Sequence, residues 1–146
     1  KQMNELVNVL NKQLANWIVM HLKLHNFHWN VSGPHFFTLH AKFEEYYGTA
    51  ARHIDELAER VLALGGTPVA TLKEALQLAS VAEAAGSETA EEMVQALIQD
   101  FSLLSEEAKA GAAAAEQQND PVTEDLLTDL QAELEQQAWM LRAFAR

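Results

Sequence analysis

Apolar residues recur along this chain at helical spacing, and the strict alternation of a half-buried strand is hard to find. From Gln2 to about Asn30, Leu6, Leu10, Leu14, Trp17, Ile18 and Leu22 mark the inner face of a first long helix. Ser32-Gly33-Pro34 stops it. A second helix is expected from about His35 to Leu64, with Phe36, Phe43, Tyr47, Ile54, Leu57 and Val61 on its apolar face and Gly48 as its one weak point. Gly65-Gly66-Thr67-Pro68 ends that helix, since glycine accepts the closing turn and proline cannot continue it. In the connection that follows, Thr71-Leu72-Lys73-Glu74 matches a capping box and predicts a short helix to about Ala79. Thr89-Ala90-Glu91-Glu92 is a second match and opens a third long helix, with Met93, Leu97, Phe101, Leu104 and Ala108 on one face. It is expected to fray at Gly111 to Ala115, a run of small side chains suited to close packing or pore access. Asp120-Pro121 starts the fourth, Asp as cap and Pro at the first helical position, and Leu127, Leu130, Leu134, Ala138 and Leu141 form its inner stripe.

The pattern therefore predicts an all-α fold: four long helices, with a long crossover carrying a short extra helix between the second and the third. At 146 residues, one domain spanning 1–146 is expected, large enough to bury a substantial core. No cysteine is present, which excludes disulfides and thiolate metal sites and suits a chain exposed to peroxide. No apolar run is long enough for a membrane span. No signal peptide is visible, so the cytoplasm is the expected compartment, although Lys1 is not an initiator methionine and residues upstream are not excluded.

Charge changes the picture more. The formal net charge is −11, and residues 81–135 carry fourteen acidic groups against one base, Lys109. Such a surface attracts cations and repels phosphate backbones. A solubilising face accounts for most of these charges, and part of them suits the guiding of metal ions.

Four metal-competent side chains fall in one stretch: His28, His40, Asp55 and Glu59. If the chain from His40 to Asp55 is continuous helix, its rise puts those two about 22 Å apart. No single ion can be held by both within one chain. Two such helices packed antiparallel across a two-fold axis would bring His40 of one beside Asp55 and Glu59 of the other, giving two identical sites. Asp55 and Glu59 share a helix face at i and i+4, and the Ser32-Gly33-Pro34 turn can fold the helix of His28 against that of His40. Imidazole and carboxylate without thiolate suit iron, manganese or zinc. Glu44, one turn after His40, is a candidate ligand for a second ion. Glu56 is turned about 100° away from Asp55 and off the ligand face.

These residues carry a resemblance. His25-Asn26-Phe27-His28-Trp29-Asn30-Val31, Leu39-His40 and Asp55-Glu56-Leu57-Ala58-Glu59-Arg60 resemble the ferroxidase region of the Dps family, the mini-ferritins also called DNA-binding proteins from starved cells. The resemblance implies a ferritin-like four-helix bundle, with its extra helix in the mid-sequence crossover at a dimer interface. It implies a hollow homo-oligomer of twelve subunits that oxidises Fe(II) at dimer interfaces, prefers hydrogen peroxide to dioxygen, and stores ferric mineral inside. Glu-x-x-His occurs nowhere, and the third and fourth long helices hold no histidine, so the intrasubunit di-iron centre of other ferritin-like bundles is not expected.

Other positions have a plainer role beside the functional one. Asp120, Asp125 and Asp129 stand near where the family builds three-fold pores and could draw in cations; a cap at Asp120 and helix-dipole complementation are the competing account. Glu44 and Glu45 are candidates for mineral nucleation. Packing or hydrogen bonding is expected for His21 and His25, and a structural role for His35 and His53. Trp17 and Trp29 are core residues by default, while a Trp beside an iron–peroxide site is also a candidate electron donor. Many relatives bind DNA through a lysine-rich terminal extension, whereas here Lys1 and Lys12 are the only bases among the first twenty residues, so DNA binding is not expected from this chain. Two rival readings remain: a DNA-condensing protein with secondary iron chemistry, and a helical assembly holding zinc structurally.

Overall fold

The computed structural model describes residues 2–146, with side chains from residue 5 onward. Lys1, counted above among the N-terminal bases, lies outside the described residues. Five helices follow one another: α1 (Gln2–Asn30), α2 (Phe36–Ala63), α3 (Leu72–Leu78), α4 (Ala90–Gln117) and α5 (Pro121–Phe144). The pairs α1·α2 and α4·α5 are helical hairpins that stack into the bundle, and α3 lies across α1 within the long connection.

Local chemistry accounts for the ends. Thr71 and Thr89 accept hydrogen bonds from the backbone N–H groups of Glu74 and Glu92, and at Thr89 the Glu92 side chain returns the bond in a full capping box. Asp120 caps α5 through Thr123 N–H, with Pro121 just inside. Gly65 (φ 85°) closes α2, and its neighbour Gly66 donates back to Val61. The same closing pattern ends α4 at Asn119 (φ 57°), where Asp120 N–H donates to the Ala115 carbonyl.

The core stripes of α4 and α5 are those expected; Met93, Leu97, Phe101, Leu104 and Ala108 face Leu127, Leu130, Leu134, Ala138 and Leu141, all buried. Three expectations need correction. Leu22 is not a core residue: it is 56 % exposed, because beyond Trp17 the buried stripe of α1 drifts onto Met20, Leu24 and Phe27. Leu22 instead lines an apolar groove with Ile18, Leu72 and Leu76, so α1 serves two packing surfaces. On α2 the buried seam runs through Tyr46, Ala50 and His53, leaving Tyr47 and Ile54 half-buried. Nor does α4 fray at Gly111: it runs on to Gln117, with Gly111 and Ala112 buried. A Cβ at Gly111 would stand 2.6 Å from Val9 Cγ1, so the small side chain is what lets α1 approach α4 there.

Polar side chains of α1 hold the crossover. Asn11 accepts from Val69 N–H and donates to the Thr67 carbonyl. Buried Asn16 accepts from the N–H groups of Ser80 and Val81 and donates to Glu107. Lys23, also buried, donates to the Ala82 carbonyl at 2.8 Å and lies 2.8 Å from Asp100 Oδ2 on α4. Burial pushes the Asp100 carboxyl above its ordinary range, and the Lys23 hydrogen bond and charge only partly oppose this.

Lys23→Met should therefore cost about 3–5 kcal/mol at neutral pH, since it strands a buried carboxylate. A raised folded-state pKa makes protonation more favourable in the folded chain than in the unfolded one. The variant should then regain part of its deficit relative to the parent as the pH falls toward about 4. Urea denaturation of both proteins across that range is the check; a deficit unchanged with pH would contradict the account.

Candidate metal centre

His28 closes the last turn of α1 and His40 lies in the first turns of α2, and the Ser32-Gly33-Pro34 turn brings them together. Their rings stack with centroids 3.8 Å apart and planes 13° from parallel. Each ring also uses the other residue's main chain: His28 Nδ1 donates to the His40 carbonyl at 2.7 Å, and His40 Nδ1 donates to the His28 carbonyl at 2.8 Å. A carbonyl can only accept, so both protons sit on Nδ1. In the neutral imidazoles the Nε2 lone pairs are therefore the free ones, which is the tautomer a metal ligand needs. His28 is 8 % exposed and Phe36 stacks on His40 at 4.9 Å, so neither ring can turn freely.

Asp55 and Glu59 stand one turn apart on α2, both exposed, with α2 unbroken through Gly48. They do not meet the histidines. Among the described residues, no three His, Asp or Glu side chains are placed to hold one ion. The chain thus presents two separate groups of metal-competent side chains: an ordered imidazole pair at the start of α2, and an exposed carboxylate pair about four turns further along. Glu44 is exposed one turn after His40. The imidazole half suits a divalent ion of borderline character, and the carboxylate half supplies the charge that iron prefers.

The acidic start of α5 divides. Asp120 is committed to its cap, to the Thr123 hydroxyl and to Arg60, whose Nη2 lies 3.0 Å away. Burial pushes its carboxyl up, but the Thr123 and Arg60 hydrogen bonds and the Arg60 charge together outweigh this and hold it below the ordinary range. Asp125 and Asp129 are exposed.

Sequence reading missed a buried cluster beside the carboxylate half. His53 Nε2 donates to Glu133 at 2.8 Å, and its ring lies 4.7 Å from that of Trp17. The hydrogen bond from His53 holds Glu133 below the ordinary carboxylate range. Eighty positions separate the partners, so no local pattern announces them. Trp17 is a core residue as expected, but Trp29 is not: it is 65 % exposed on the outer side of α1, with the His25 ring 5.3 Å away.

Residues 7–146 match the family model of the ferritin-like domain. Among curated proteins, the DNA protection during starvation protein 2 of Bacillus anthracis is 56 % identical over 140 residues, 96 % of each chain. Among solved structures, a Dps protein from Bacillus brevis superposes with a TM-score of 0.98 at 50 % identity, covering 99 % of this chain and 97 % of that one. A Dps protein from Vibrio cholerae, described as a member of a broad superfamily of ferritin-like diiron-carboxylate proteins, superposes with a TM-score of 0.96 at 36 % identity, covering 99 % and 91 %. The fold is thus that of a ferritin-like subunit. Within that class, this chain belongs to the Dps family.

Asp120→Ala should lower stability by about 1–2 kcal/mol, and Asp120→Asn by less, since asparagine keeps the cap while losing the charge that pairs with Arg60 and the second oxygen that accepts from the Thr123 hydroxyl. A carboxyl with a depressed folded-state pKa contributes fully above its unfolded value. That contribution fades as the pH falls through the folded one, so the gap between parent and variants should shrink toward about pH 3. Denaturant midpoints at neutral and acid pH test this; a gap that widens in acid would reject the assignment.

Proposed function

We propose that this chain is a ferroxidase and iron-storage subunit whose catalytic site is completed by a second copy. His28 and His40 of one subunit and Asp55 and Glu59 of another form each site, with Glu44 as a ligand for a second ion. One observation carries the reading: an imidazole pair locked in the ligand tautomer, with no third metal-binding group within reach among the described residues of its own chain. The Vibrio cholerae relative, described as a diiron-carboxylate protein, supports iron as the substrate.

Two carboxylates balance the charge of bound Fe(II), and the higher charge of Fe(III) drives hydrolysis of its bound water. Two Fe(II) give one electron each to hydrogen peroxide. Its O–O bond breaks, two protons are taken up, and two waters and two Fe(III) result. No one-electron cleavage to hydroxyl radical is needed. The ferric ions hydrolyse and collect as mineral, with Glu44 and Glu45 as nucleation points inside a shell of twelve subunits. Asp125 and Asp129 are the pore candidates; Asp120 would act there mainly by holding the start of α5. Among the described residues, no helix is long and apolar enough to cross a membrane. A net charge of −11 opposes phosphate contact, so protection of DNA, which names the Bacillus anthracis relative, would come from removing iron and peroxide rather than from binding.

After anaerobic loading with Fe(II), peroxide should drive oxidation faster than dioxygen does, and His40→Ala should lose at least about tenfold of the rate. Subunits carrying His40→Ala and subunits carrying Asp55→Ala with Glu59→Ala should each be inactive alone. Co-assembled at random in equal amounts, they should recover about a quarter of the parent activity, because half the dimers are mixed and each mixed dimer has one intact site. No recovery in well-formed mixed particles would rule out a site shared between copies.

A further inference from the structure

One turn before the ligand face of α1, the chain holds a second pair of imidazoles on a single helix. His21 and His25 stand at i and i+4 with ring centroids 4.7 Å apart, both half-buried. His25 Nδ1 donates to the His21 carbonyl at 2.8 Å, which leaves the His25 Nε2 lone pair free. The ring of Tyr47 stacks on His25 at 3.7 Å, 16° from parallel, and fixes its orientation. Among the described residues no hydrogen bond engages the His21 ring, which meets His25 and Tyr47 edge-on. Burial, and then the neighbouring His25, push the His21 imidazole below the ordinary histidine range, so its lone pair is available at neutral pH.

We propose that His21 and His25 form a second metal site, contained in one subunit, for an imidazole-preferring divalent ion, copper(II) or zinc, with water completing the coordination. The chemistry selects the ion. Two neutral imidazoles without a carboxylate offer no charge compensation to a hard, weakly bound ion such as Fe(II), whereas copper(II) and zinc stand higher in nitrogen affinity. Nitrogens bound at about 2.0–2.1 Å to one ion lie about 3 Å apart, and rotation of the unengaged His21 ring from its present edge-on position brings them there. Since both ligands ride on one helical turn, no chain closure opposes binding. Tyr47 also lies edge-on to His28, centroids 5.3 Å apart, so an ion that clamps His25 restrains the same ring that borders the ferroxidase histidine.

The test uses the full-length assembled protein carrying His40→Ala with Asp55→Ala and Glu59→Ala, which leaves only His28 of the four proposed shared-site ligands and leaves the His21–His25 pair intact. Copper(II) and zinc are titrated by competition with a chromophoric chelator, and copper(II) is followed by electron paramagnetic resonance. In this background one ion per subunit should bind, with nitrogen hyperfine structure from two imidazoles. Adding His21→Gln or, separately, His25→Gln should weaken it by at least about tenfold and reduce the nitrogen count. Unchanged affinity and spectrum with His21→Gln would overturn the proposal, as would a loss with His21→Gln that His25→Gln does not reproduce. The outcome is independent of the iron chemistry, since a failed ferroxidase reading leaves these arms as informative as before.

Discussion

The exchange of hydrogen bonds between His28 and His40 does two jobs that are usually separate. It ties the end of α1 to the start of α2 through main-chain carbonyls, of which that of His28 belongs to the last turn of α1 and has no intrahelical partner, and it decides which ring nitrogen carries the proton. Moving either ring away from the ligand tautomer means breaking the contact that shapes the α1–α2 turn. Phe36 over His40 and Tyr47 beside His28 fill the remaining space, so the orientation is set by packing as well as by hydrogen bonds. The proposed imidazole half-site is therefore set by the fold itself. The carboxylate half is its opposite, exposed and without fixed partners, and gains definition only from what packs against it.

A second constraint keeps the first in place. The long connection between α2 and α4 has little secondary structure of its own, and it would be a loose strap without Asn11, Asn16 and Lys23 of α1, which satisfy its backbone groups one after another. These three side chains hold α3 against α1, and with α3 the apolar groove of Ile18, Leu22, Leu72 and Leu76. The arrangement uses a charged pair where apolar packing would serve, and the Lys23–Asp100 contact links the crossover to α1 and α4 at once.

How much of this was legible in the sequence follows the range of each interaction. Helix ends were readable because capping is local: Thr71, Thr89, Asp120-Pro121 and Gly65 act within a turn of themselves. The stripes of α4 and α5 were readable because each helix has one neighbour-facing side. Leu22 was misjudged for the converse reason, since α1 packs on the bundle with one face and on α3 with another, and Trp29 because it lies on neither face. In the candidate site, residue type and spacing pointed to His28, His40, Asp55 and Glu59, and the meeting of the two histidines followed from the turn between them. Main-chain carbonyls leave no trace in residue type, so the tautomer was invisible. The His53–Glu133 contact needed the relative placement of α2 and α5.

The unbroken course of α2 through Gly48 makes it a ruler as well as a scaffold. In a shared site, each copy measures off the same interval between its histidine and its carboxylates, and the two-fold axis falls at the midpoint. Adding one residue to that interval would turn the two ends about 100° out of phase and spoil both sites together. Adding seven would restore the phase to within about 20°, and because both copies lengthen alike, the ends would still meet while the two sites moved apart. The spacing that evolution must hold is thus an angle more than a length.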